Sequence, residues 1–96
     1  MKVRYTAAAR TEIEDILARI ATDNPAAATA VGSAIKATIA RIRSFPRIGA
    51  DTDAPEIFLS IVRPHRYLIF YKILNDTIVI RDVRHPARQR PPSDRS

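Results

Sequence analysis

The sequence contains no cysteine, which excludes both a disulfide framework and any thiolate metal site. His65 and His85 are its only histidines, too few for a transition-metal set, so no metal or cofactor is expected. Glycine is confined to Gly32 and Gly49, and a glycine-rich phosphate loop therefore cannot form. No apolar run approaches the roughly 18 residues that a membrane span requires. The N-terminal stretch MKVRYTAAAR also lacks the apolar core of a signal peptide. No Ser-His-Asp arrangement can be defended by spacing. These absences disfavour a cofactor enzyme, exclude a membrane partner and make the cytoplasm the simplest location.

What remains is a chain of 96 residues, 46% of them hydrophobic, enough for one globular domain with one core. The net charge is +6 and unevenly spread: residues 61–96 hold eight basic and three acidic side chains, whereas residues 1–60 hold eight and seven. Lysine is scarce too, being found only at Lys2, Lys36 and Lys72 against thirteen arginines. Arginine presents a planar, always-charged fork suited to phosphate or carboxylate. An anionic partner follows: nucleic acid, a phosphate-rich complex or an acidic protein segment.

Lys2-Val3-Arg4-Tyr5 alternates as a short first strand at a sheet edge. Thr6 is a natural N-cap for a helix over about 7–22, in which Ala9, Ile13, Ile16, Leu17 and Ile20 form an apolar face. Asn24 can cap a second helix with Pro25 at its first position. That helix, over about 25–44, carries the stripe Ala28, Val31, Ile35, Ile39 and Ile42, and Gly32 offers a place for close helix approach. The short break favours an antiparallel helical hairpin. Phe45-Pro46-Arg47-Ile48-Gly49 stops the helix, and residues 50–55 read as a polar loop.

From Ile57 to Arg88 three apolar or β-branched runs follow one another, interrupted at Pro64 and at Asn75-Asp76, which suits a tight hairpin turn. The expected architecture is α+β: an N-terminal strand and a helical hairpin packed on a three- to four-stranded antiparallel sheet. The domain spans 1–88, and the Pro- and Arg-rich 89–96 is expected to be a mobile tail. With Leu74 opposite Thr77, strict alternation sets Tyr67, Ile69, Tyr71, Ile73, Ile78 and Ile80 on one face, continuing to Asp82 and Arg84. Leu68, Phe70, Val79 and Val83 take the other face, together with Arg66, Lys72, Arg81 and His85. Neither face is cleanly polar, so alternation leaves open which one packs under the helices.

Asp23-Asn24-Pro25 before an alanine-rich helix, Phe45-Pro46-Arg47-Ile48-Gly49, the strand Tyr67-Leu68-Ile69-Phe70-Tyr71-Lys72-Ile73, and Val83-Arg84-His85-Pro86-Ala87-Arg88 resemble, in this order, the ParE branch of the RelE/ParE toxins. The resemblance runs from Val3 to Arg88. It implies the toxin of a type II toxin–antitoxin module, associated with growth inhibition and plasmid stabilization. A ParE-like toxin would inhibit DNA gyrase and block replication without being an enzyme. A RelE-like toxin would instead cleave messenger RNA on the ribosome. A remnant that only binds its antitoxin is a third reading. The resemblance further implies a hetero-oligomer with a cognate ParD-like antitoxin, of ribbon-helix-helix type, laid along the helices at Ile13, Leu17, Val31 and Ile35.

Metal-free RNA cleavage needs a group to activate the 2′-hydroxyl, a cation for the phosphate and a proton donor. His85, Arg84, Arg81 and Arg66 are the candidate set. Asp82, in a strand position where the family often has arginine, would repel a phosphate unless neutralised. Binding is therefore favoured over cleavage, with Arg63, Arg66, Arg81, Arg84, His85 and Arg88 as the target- or anion-binding residues. Plainer readings stand beside these: local hydrogen bonding for His85, ordinary exposure for His65, packing for Tyr67 and Tyr71, and dipole complementation for Arg41, Arg43 and Arg47.

Overall fold

The computed structural model describes residues 1–86. The chain runs β1 (Lys2–Tyr5), α1 (Ala7–Asp23), α2 (Pro25–Ser44), β2 (Ala50–Asp51), β3 (Phe58–Val62), β4 (Tyr67–Leu74) and β5 (Thr77–Arg84). Both helices start where local chemistry dictates. The Thr6 hydroxyl accepts from the Ala9 amide at 3.0 Å, and Asn24 Oδ1 accepts from the Ala27 amide at 3.0 Å with Pro25 next in line. Each such cap contributes about 1 kcal/mol. No helix among the described residues is long and apolar enough to cross a membrane.

The expected α+β class holds, with two differences in the sheet. It has five strands in the order β1-β5-β4-β3-β2, and β1 runs parallel to β5, so the sheet is mixed. The extra strand is β2, whose two residues pair with Leu59 and Phe58 inside the segment expected to be loop. Two residues are too few to display an alternating pattern.

A bulge changes the faces of β5. Tyr71 pairs with Ile80 but Phe70 pairs with Asp82, leaving Arg81 as an extra residue. Past this insertion the alternation inverts. Val83 joins Ile69 in the core at 1% exposure, while Asp82 and Arg84 turn outward beside Phe70 and Leu68. The strict alternation that placed Asp82 and Arg84 with Tyr67 and Ile80 is thus corrected. The cause lies in α1: β1 ends at Tyr5, and beyond it helix-borne groups satisfy β5. The Thr6 hydroxyl donates to the Arg81 carbonyl at 2.7 Å, and Glu12 Oε1 accepts from the Val83 amide at 2.8 Å.

The core lies between α2 and the sheet. Val31, Ile35, Ile39 and Ile42 pack on Val62, Tyr67, Ile69, Tyr71, Ile78, Ile80 and Val83. From α1 only Ala9 is fully buried, and Ile13, Ile16, Leu17 and Ile20 remain half-covered. A helix whose apolar stripe is only half-buried is under-packed for a monomer.

Candidate functional site

Three surfaces carry the residues singled out in the sequence. The first is a groove of about 500 Å³ along the outer side of the helical hairpin. Ile13 and Leu17 of α1 face Gly32, Ile35 and Ile39 of α2, with Tyr5 closing one end. Arg10, Glu14 and Lys36 edge it, and the Arg10 guanidinium sits 5.9 Å from the centre of the Tyr5 ring. The sequence suggests Gly32 as a place for close helix approach, but α1 does not come near enough there to require glycine. A Cβ there would meet Leu17 at 3.7 Å, an ordinary contact, so the missing side chain leaves the groove deeper instead. Of the four residues expected to face an antitoxin, Ile13, Leu17 and Ile35 line this groove. Val31, at 3% exposure, belongs to the core and takes no part in its lining.

The second surface is the outer face of the sheet. Register aligns Leu59, Phe70 and Asp82 across β3–β5, then Ile61, Leu68 and Arg84, and on the other side Lys72, Val79 and Arg4. An apolar centre of Leu59, Leu68, Phe70 and Val79 is only half-buried, and cations flank it. At one end, Arg81 Nε lies 2.7 Å and Arg84 Nη2 3.5 Å from the two oxygens of Asp82. Asp82 is 8% exposed, yet both arginines reach it from solvent. Two cations share one anion, and the triplet presents one net positive charge.

His85 follows at the end of β5, exposed, its ring edge-on to Tyr67 at 5.2 Å. On its α1 side two adjoining clefts, of about 410 and 270 Å³, share Asp15, Ile16, Arg19 and His85. Glu12, Asp15 and Asp23 line them along with Arg19 and Arg84. The clefts beside His85 thus mix three carboxylates with two guanidiniums, and Glu12 is already engaged by the Val83 amide. Tyr71 offers no acid or base. Its hydroxyl donates to the Pro46 carbonyl at 2.7 Å and accepts from the Gly49 amide at 3.0 Å. Burial pushes its pKa above the ordinary value, the Gly49 and Ser60 hydrogen bonds opposing. No cluster of three or more His, Asp or Glu suited to a metal occurs among the described residues.

The structure thus brings Arg81, Arg84 and His85 together, with Arg66 in the turn at the same end of the sheet, where its φ is 67°. Arg63 begins the same β3–β4 turn as Arg66 and lines a cleft beside α2. Arg88 lies outside the described residues. Glu12 reads in the sequence only as helix-dipole charge, because its partner, Val83, lies on β5 and no local pattern links them.

The sequence matches, over residues 3–90, the family described as ParE toxin of type II toxin-antitoxin system, parDE. No curated protein matches it. Among solved structures it is similar to a chain of the chromosomal ParDE TA system from P. aeruginosa, at 12% identity and a TM-score of 0.72, covering 88% of this chain and 95% of that one. At that identity the likeness shows the fold.

Proposed function

This chain belongs to the ParE toxin family of type II toxin–antitoxin systems, and from that premise we propose that it is a gyrase-directed toxin, acting by binding, neutralised when a cognate antitoxin fills its hairpin groove. The Asp82 triplet carries the argument. A ribonuclease of this fold would need free guanidiniums for the scissile phosphate, whereas here Arg81 and Arg84 are both engaged by one carboxylate. Tyr71 is committed to the 46–49 loop, and His85 adjoins clefts in which carboxylates outnumber arginines three to two. Binding needs none of these groups as catalysts. The outer sheet face, with its apolar centre between Arg4, Lys72 and Arg84, is the surface assigned to the target.

The hairpin groove is assigned to the antitoxin. It offers apolar positions on two helices, room at Gly32 and cations at Arg10 and Lys36, which suit an amphipathic helix with acidic flanks. Ile13, Leu17 and Ile35 are its contact residues. The antitoxin is of ribbon-helix-helix type, so the module is a hetero-oligomer able to bind its own operator. The toxin acts in the cytoplasm, stalling replication and stabilising a plasmid or locus that encodes the pair.

A supercoiling assay with antitoxin-free protein tests the reading. Accumulation of cleaved DNA trapped on gyrase is expected, and unimpaired supercoiling would sink it. Primer extension on translated transcripts after induction should reveal no new cuts. Cuts lost in His85→Ala would move the protein to the messenger RNA-cleaving branch.

A further inference from the structure

On the side of the molecule away from the hairpin groove, β2 covers only Phe58 and Leu59 of β3, so among the described residues no strand lies beside residues 60–62 on that edge. Two clefts of about 470 and 240 Å³ run along this side and share Ile48 as a wall. Phe45 is 64% exposed, Ile48 49% and Ile61 36%. These are large apolar side chains standing in solvent, and the loop that carries Ile48 is tied down. The Tyr71 hydroxyl ties down Pro46 and Gly49 on either side of Ile48.

Among the described residues, the charged side chains lining the two clefts are all arginines: Arg47 in one, Arg41 and Arg63 in the other. None of the three forms an ion pair among the described residues. Pre-organised apolar anchors beside unpaired arginines are the usual ingredients of a binding hot spot. An open strand edge adds backbone donors and acceptors.

We propose that this side is a second docking surface, for an extended acidic segment of a partner protein that pairs with the open half of β3. Alternate apolar side chains of the segment rest on Ile48 and Ile61, and its carboxylates meet Arg41, Arg47 and Arg63. The positive lining selects an acidic partner and opposes edge-to-edge pairing with a second copy, which would bring like charges together. A nucleic acid would satisfy the arginines but not the strand edge or the apolar wall. The surface uses Thr38, Arg41 and Ile42 of α2, whereas the hairpin groove uses Gly32, Ile35, Lys36 and Ile39. Both sides of the helix are therefore free to be occupied at once. The proposal goes beyond the gyrase reading and does not depend on it.

The test uses the full chain and fluorescein-labelled ten-residue peptides in which Glu, Lys or Ser alternates with Val. The Glu–Val peptide should bind, the Lys–Val and Ser–Val peptides should not, and hydrogen exchange should slow at residues 60–62. Arg41→Glu combined with Arg63→Glu, both exposed, should weaken binding by about tenfold or more. Lys36→Glu, in the hairpin groove, should leave it unchanged. Equal loss in Lys36→Glu, equal binding of the Lys–Val peptide, absence of Glu–Val binding, or its displacement by a single-stranded oligonucleotide of higher affinity would each overturn the proposal.

Discussion

The hydroxyl of Tyr71 accepts the amide proton of Gly49 at 3.0 Å, and a Cβ on Gly49 would stand 2.6 Å from that same oxygen. Glycine is required here by close approach. Tyr71→Phe strands the Gly49 amide and the Pro46 carbonyl, and a cost of about 1–3 kcal/mol is expected. Gly49→Ala should cost a similar amount by displacing the ring. Urea unfolding of the two variants and the double mutant checks this. Because both changes break one latch, their effects should fall well short of additive.

Alkaline pH should release the same latch. Burial holds the Tyr71 phenol above its ordinary pKa, so above about pH 10 the unfolded chain loses this proton before the folded one does. The folded state then binds more protons than the unfolded state, and stability declines as pH rises. Thermal unfolding between pH 9 and 11 should show a fall that is shallower in Tyr71→Phe than in the parent protein.

Asp82→Asn should free two guanidiniums on the sheet. The ion pairs are partly exposed, with Arg81 at 46% and Arg84 at 43% side-chain exposure, so stability should change by less than about 1 kcal/mol. Affinity for heparin or single-stranded nucleic acid should rise, and its salt dependence should steepen. An unchanged salt slope would show that the two arginines remain engaged elsewhere.

Gly32→Ala should separate stability from neutralisation. The added methyl meets Leu17 at ordinary contact distance, and Ala in a helix interior is favoured over Gly by about 0.8–1 kcal/mol. The melting temperature should therefore rise by a few degrees. The same methyl shallows the hairpin groove, so antitoxin affinity should drop. Calorimetry of the variant alone and titration with antitoxin measure the two effects.

Glu12→Ala should remove the acceptor for the Val83 amide. An unpaired strand amide beside α1 costs about 1–3 kcal/mol. Hydrogen exchange at Val83 should accelerate in the variant, while the β4–β5 hairpin turn keeps its protection.

Features with local causes were legible in the sequence. Thr6 and Asn24 announced both helices, and Asn75-Asp76 set Leu74 opposite Thr77. Features caused by distant residues were not. The bulge at Arg81 arises where Thr6 and Glu12 meet β5, and alternation alone carried Val83 to the wrong face. Periodicity could not separate Val31, in the core, from Ile35, which reaches both core and groove floor. Both sit on one stripe and differ only in how α1 lies over them. Phe45 and Ile48 read as a helix stop, because nothing nearby foretells that Tyr71 would hold them out into solvent.

The parallel pairing of β1 with β5 has a consequence for how the toxin comes into being. Lys2 pairs with Thr77 and Tyr5 with Ile80, so β1 finds this neighbour only after β5 has emerged from the ribosome. The helical hairpin is built from adjacent segments and forms early, whereas the sheet cannot close until β5 has been synthesised. The helical part of the hairpin groove, from Ile13 and Leu17 to Gly32 and Ile35, is thus synthesised before the outer sheet face exists. Under the assignment proposed above, an antitoxin would meet the residues of its groove on a nascent chain that does not yet possess the surface assigned to the target.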